Sequence, residues 1–179
     1  MPPARKSPLD FKGRLRRLDK SFYRDFSWIH WSTATKQRRT GWLTTETHLK
    51  MREILLHALL RYKVSCPAYC LMPDHGHFLW IGYDAGSRQD LANKLLRQEW
   101  NHLIGPDFSL QRQSYDHVLR EHERERNAFP AIAYYIFENP VRAGLPSGGL
   151  IIPFLVRSSP GIPNSTRAPT TTGTDSGKY

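Results

Sequence analysis

Residues 70–80 read CLMPDHGHFLW and set His75 and His77 one residue apart in an otherwise apolar run. In an extended strand alternate side chains share a face. The two imidazoles therefore point the same way, followed by Leu79 and Ile81, while Gly76, Phe78 and Trp80 point the other way. Two imidazoles on one face can reach a single divalent ion. The same pattern also suits two polar residues in an ordinary half-buried strand, and H-x-H spacing alone does not separate the two readings.

A second group of chemically capable residues lies in AIAYYIFENPVRAGL, residues 131–145. Helical positions four apart are neighbours, so Tyr135 and Asn139 share a face, offset from Ile132 and Ile136. Asn139 offers a carbonyl oxygen to a hard metal, and Tyr135 a phenol able to attack a phosphate that the metal has polarised. Tyr134 is turned about 100° away around the axis. The plainer reading is an aromatic helix face that Asn139 ends before Pro140, since a residue before proline is pushed out of helical geometry.

The elements that must position these residues follow from periodicity. Residues 26–35 mix aromatics with alternation and read as a strand. Trp28, His30 and Trp31 alternate along it, some belonging to a core and some able to stack on bases. Lys36 to Gly41 forms an exposed basic turn. Thr45 caps a helix running to about Tyr62, with Met51, Ile54, Leu55, Ala58 and Leu59 as its buried stripe. VSCPAYCLM reads as a second strand whose Pro67 suits an edge or strand start. Pro73-Asp74 is a turn, Asp74 being read as the turn residue, and HGHFLWIGY is a third strand.

Asp90 caps a second helix, with Leu91, Leu95, Leu96, Trp100 and Leu103 on its apolar side and Gly105 at its end. A short strand over 114–120 follows, where His117 reads as a satisfied structural histidine. A charged stretch then precedes a third helix that has Pro130 in its first turn. The order of elements implies an α+β architecture, one mostly antiparallel sheet with helices packed on it.

With 179 residues, 39% of them apolar, the chain suffices for one folded domain. Its formal net charge is +10. Residues 1–24 contain eight Lys or Arg, so residues 1–21 read as a basic flexible arm whose Arg16 and Arg17 suit a polyanion. Lys36, Arg38, Arg39 and Arg142 are further candidates for phosphate contacts. Residues 146–179, rich in Ser, Thr, Pro and Gly, read as a tail disordered at its end. No run is apolar enough to span a bilayer, and the first twenty residues lack a signal-peptide core. Cys66 and Cys70 flank Pro67 without a second pair to complete a zinc site, so a reduced cytoplasmic protein is expected.

Three segments, AYCLMPDHGHFLWIG, QRQSYDHVLRE and AYYIFENPVRAGL, occur in an order that resembles the REP-associated tyrosine transposases. These are relatives of the single-tyrosine insertion-sequence transposases in the HUH endonuclease superfamily, and the resemblance covers residues 22–145. It implies a ferredoxin-like or RRM-like core, with His75 and His77 matching the paired metal ligands, Tyr135 the nucleophile and Asn139 the polar third ligand. Mg²⁺ or Mn²⁺ is the implied cofactor. The implied activity is nicking and rejoining of single-stranded or hairpin DNA at repeat-element ends, through a 5′-phosphotyrosine intermediate. The acting unit would be a monomer or homodimer, bacterial and nucleoid-associated. The middle residue of the histidine motif is usually bulky; Gly76 stands here and is expected to loosen the local packing. Rival readings are a replication-initiator or relaxase-type nuclease, which the Asn-Pro-Val-Arg-Ala-Gly run argues against, and a non-catalytic nucleic-acid-binding module of the same fold.

Overall fold

A computed structural model of the chain describes residues 17–126 and 128–145. Residues 1–16 of the N-terminal arm, Arg16 among them, and the tail after Leu145 lie outside the described residues. The elements are β1 (Trp28–Ala34), α1 (Thr45–Arg61), β2 (Val64–Met72), β3 (His75–Gly82), α2 (Gln89–Ile104), β4 (Tyr115–Val118), α3 (Glu121–Glu125) and α4 (Ala128–Arg142). The four strands form one sheet in the order β2-β3-β1-β4, every pairing antiparallel. The fold is therefore α+β, and its β-α-β-β-α-β order is that of ferredoxin-like domains.

Local chemistry sets the ends of the helices. Thr44, not Thr45, caps α1: its hydroxyl accepts from Thr47 N–H (3.1 Å), and Thr47 Oγ1 accepts from Thr44 N–H (2.7 Å). Asp90 does not cap α2. It sits in the first turn, where Arg88 Nε and Nη2 both donate to its carboxylate at 2.9 Å. Gly105 ends α2 at φ 74°, a left-handed position that glycine adopts without a Cβ clash. The charged stretch before the last helix folds into α3.

α4 does not stop at Asn139; it runs to Arg142 with Pro140 inside. Proline removes one N–H, but in the last turn the loss is confined to one bond. Beyond it Ala143 N–H still donates to Asn139 and Leu145 N–H to Pro140, both at 3.0 Å.

The sheet is covered on both faces. Ile29, Trp31, Tyr69, Leu71, Phe78 and Trp80 face α1 and α2, meeting Met51, Leu55, Leu96 and Trp100 in the larger core. On the other face α4 lies chiefly along β2, where Ile136, fully buried, joins Ala68, Cys70, Met72 and Leu79. A bulge between Ser65 and Ala68, around Pro67, decides which β2 residues reach α4. One extra residue reverses the alternation, so Cys66 joins the larger core and Cys70 the smaller, although they are an even four positions apart.

Candidate active site on the histidine face

The register brings four histidines onto the face that α4 crosses. His75 lies opposite Ala34 and His77 opposite Ser32, which puts His30, opposite Leu79, diagonally beside His77. His117 of β4 lies directly opposite His30. His75 and His77 share a face as their spacing requires, with ring centroids 4.9 Å apart. His30, read from the sequence only as a core or base-stacking residue, is a neighbour of His77. Its parity on β1 is visible in the chain, but its nearness to His77 depends on a pairing that only the folded sheet supplies.

Each of the paired histidines has Nδ1 engaged. Asp74 Oδ1 lies 2.5 Å from His75 Nδ1, and Arg38 Nη1 donates to Asp74 Oδ2 at 3.2 Å. Asp74 is thus more than a turn residue: it orients an imidazole and is itself held by the basic turn. Burial opposes its ionisation, but the bond to His75 and the charge of Arg38 hold its carboxyl below the usual range. His77 Nδ1 lies 3.1 Å from His30 Nε2. With a carboxylate acceptor at His75, and in the tautomer in which His77 Nδ1 donates to His30, both Nε2 lone pairs are left for a metal, an arrangement typical of histidine ligands.

Burial, then the charges of His30, His75 and Arg38, push His77 down to about 3. Burial and His117 push His30 down to about 4. Both rings are neutral at pH 7, as metal ligation needs.

Among the described residues no three His, Cys, Asp or Glu side chains form a metal-holding group by themselves. Two imidazoles would need an oxygen to complete the set. Asn139 stands one turn beyond Tyr135 on α4, and its Nδ2 donates to the Tyr135 carbonyl at 2.9 Å, leaving Oδ1 to act as acceptor or ligand. Two imidazoles and one amide oxygen would be a mixed nitrogen and oxygen donor set for a divalent ion, with positions left for phosphate.

Tyr135 hangs over the histidines, its ring edge-on at 5.8 Å from His77 and 6.2 Å from His30. The Arg142 guanidinium sits 5.3 Å from the same ring. Tyr134 is 67% exposed and makes no such contact, against 38% for Tyr135. The rings of His30, His75, His77 and Tyr135 and the Arg142 guanidinium thus form one chain of contacts, with Arg38 joined to it through Asp74, while the Asn139 amide nitrogen is turned onto its own helix at the Tyr135 carbonyl. Lys36 and Arg39 share the turn of Arg38, but Arg39 is spent on the Asp107 carbonyl and the Phe108 ring.

Arg17 is not part of this group. It pairs with Asp116 and lies over Trp31 on the opposite face of the sheet. Neither strand tryptophan is a bare platform: Trp31 is buried, and Trp28 packs edge-on against Phe129 at 5.4 Å. His117 bonds Glu123 through Nε2 at 2.9 Å.

Gly76 does not loosen its surroundings. A Cβ there would meet Leu71 Cδ2 at 3.0 Å and the Phe78 ring at 3.1 Å. Leu71 and Phe78 have closed over the position from the larger core, so the strand under His75 and His77 is backed by packed side chains.

No protein-family model and no curated protein matches the chain. Among solved structures, the chain is similar to a REP-associated tyrosine transposase bound to a REP hairpin, at 20% identity and a TM-score of 0.59. That match covers 73% of this chain and 74% of the other. A transposase structure from Deinococcus radiodurans aligns at 18% identity and a TM-score of 0.41, over 59% of this chain and 89% of the other. The first likeness establishes a shared fold. Among the described residues no helix is long and apolar enough to cross a membrane.

Proposed function

We propose that the chain nicks and rejoins single-stranded or hairpin DNA by covalent catalysis from Tyr135, as a metal-dependent tyrosine transposase. One observation carries the reading: the Tyr135 ring stands over His30 and His77, with Asn139 one helical turn away. Tyr135 and two neutral imidazoles are thus neighbours, although the helix and the two strands that carry them are distant in sequence, and Asn139 would add an amide oxygen. The fold shared with a hairpin-bound tyrosine transposase supports the same reading.

His75, His77 and Asn139 would hold Mg²⁺ or Mn²⁺, which would supply Lewis acidity to a non-bridging oxygen of the scissile phosphate. Tyr135 Oη attacks phosphorus and loses its proton as the Oη–P bond forms. The P–O bond to the 3′ oxygen breaks, and that oxygen leaves as a hydroxyl. The product is a 5′-phosphotyrosine and a free 3′-OH. Attack by another 3′-OH reverses the step and needs no external energy, because the phosphodiester is conserved in the adduct. Asp74 and His30 keep the imidazoles oriented, and Arg142 and Arg38 attract the phosphate backbone. A phenol fixed on a packed helix favours a strand that can bend to it over a regular duplex.

The test is a labelled hairpin oligonucleotide incubated with the protein and Mn²⁺, then resolved on a denaturing gel. Wild type is expected to yield a protein–DNA adduct, Tyr134→Phe to retain it and Tyr135→Phe to lose it. An adduct from Tyr135→Phe equal to wild type moves the nucleophile. Binding with no adduct across a panel of structured oligonucleotides would support the non-catalytic module instead.

A further inference from the structure

β4 is an edge strand, and behind it lies a second concave site. Arg17 and Lys20 at the start of the described chain, Lys94 and Arg97 on α2, and Arg112 in the loop before β4 wall a cleft of about 460 Å³. Buried Trp31 and Tyr23 lie at its base. One carboxylate, Asp90, lines the cleft, and Arg88 already binds both of its oxygens. Asp116, beneath it, is taken by Arg17 and by the Tyr23 hydroxyl at 2.7 Å. Among the described residues Lys20, Lys94, Arg97 and Arg112 have no carboxylate partner.

The two inner arginines are clamped onto one residue. Arg17 Nη2 donates to the Ser114 carbonyl at 2.6 Å, and Arg97 Nη1 donates to Ser114 Oγ at 3.0 Å. Arg97 Nη2 also donates to the Gln111 carbonyl. Burial and the charge of Arg17 both lower the pKa of Arg97, a repulsion that an anion would relieve. Fixed guanidinium forks ringed by exposed, unpaired cations have the chemistry of a phosphate site.

We propose that this cleft seats the backbone of a single-stranded DNA segment that continues from the Tyr135 site around the β4 edge. The inference rests on the reading of the histidine face as a DNA site. β1 and the edge strand β4 separate the two sites: Trp31 and, opposite it, Asp116 face the cleft, while His30, Tyr115 and His117 face the α4 side. Tyr115, 55% exposed, offers a ring on which a base can stack as the strand rounds the edge. The cleft's size admits a nucleotide rather than a duplex. Positive charge on both sides of a thin edge suits one continuous polyanion better than two separate ligands.

The test compares wild type with a Lys20→Gln, Lys94→Gln, Arg112→Gln triple variant, none of whose positions touches the histidine face. The ligands are a fluorescent hairpin, and the same hairpin carrying a thymidine extension of about ten nucleotides. The variant is expected to bind the extended ligand about tenfold more weakly, with a log–log salt slope smaller by about 2. Affinity for the bare hairpin should hold. Equal weakening of both ligands, or of neither, overturns the proposal, as does competition by polyglutamate that matches a thymidine oligomer. If wild type forms no adduct but the extension-dependent loss persists, the nicking reading fails and the cleft stands. If adduct forms and the extension makes no difference, the cleft alone fails.

Discussion

His30 controls which nitrogen of His77 is left for a ligand. The contact between His30 Nε2 and His77 Nδ1 leaves His77 Nε2 free only when His77 is the donor. His30→Ala is therefore expected to lower Mn²⁺ affinity by about 10–100-fold, measured by calorimetry, while far-UV circular dichroism stays unchanged. His30→Gln, whose amide oxygen can still accept, should restore part of the loss. Equal Mn²⁺ affinity in wild type and His30→Ala would rule out the orienting role. His75 and His77 are legible in the chain because period-two geometry operates over three residues. His30 and His77 are 47 positions apart, and no local rule sets the pairing register that joins them. Asp74 shows the complementary limit: a turn residue by sequence, it gains its second role only when the turn folds it back onto the next side chain.

α4 carries Tyr135 and Asn139, and its hold on the sheet is narrow. Ile136 is its one buried residue among those described, supported by partly buried Phe129, Ile132, Ala133 and Phe137. Ile136→Ala should cost about 2–5 kcal/mol in urea unfolding, and Ile136→Val about 0.5–1.5 kcal/mol. Because Ile136 adjoins Tyr135, the alanine variant should also form adduct more slowly at temperatures where it is fully folded. Unchanged adduct kinetics would mean that docking of α4 does not limit Tyr135. The apolar period of this helix, Ile132 to Ile136, was readable. Its end was not, because one missing N–H in a last turn is too small a loss to stop a helix whose next residues can still bond. The limits of β2 were likewise readable from its flanking residues, but the bulge around Pro67 was not, since an inserted residue shows only against a partner strand.

At the scale of the whole molecule, the buried imidazoles make folding sensitive to acid. In the metal-free protein His30 and His77 titrate near 4 and 3, against about 6.5 when unfolded. Between those values the unfolded chain binds more protons. The contribution of the two neutral imidazoles to stability is thus fully present above about pH 6.5 and is lost as pH falls through the folded values. His75, His117 and Arg38 face the pair and add to the cost of protonation, and Asp74 offsets part of it. Urea midpoints should fall from pH 6.5 to 4, and more shallowly in His77→Asn; identical profiles would mean that His77 does not contribute. The order of strands and helices announced the α+β class, because layer rules act on whole elements. The basic cleft, assembled from the arm, α2 and the loop before β4, has no contiguous sequence signature at all. The single residue inserted at Pro67 has one more consequence. It stations two thiols as independent reporters, Cys70 beneath α4 and Cys66 in the core on the far side, both held protonated by burial. An aromatic disulfide reagent should modify Cys70 first, at the rate at which α4 lifts away, and Ile136→Ala should quicken that reaction. Cys66 should wait until the sheet itself comes apart. Equal rates would mean that helix and sheet open as one unit; unequal rates would time a local detachment against global unfolding in one unlabelled chain.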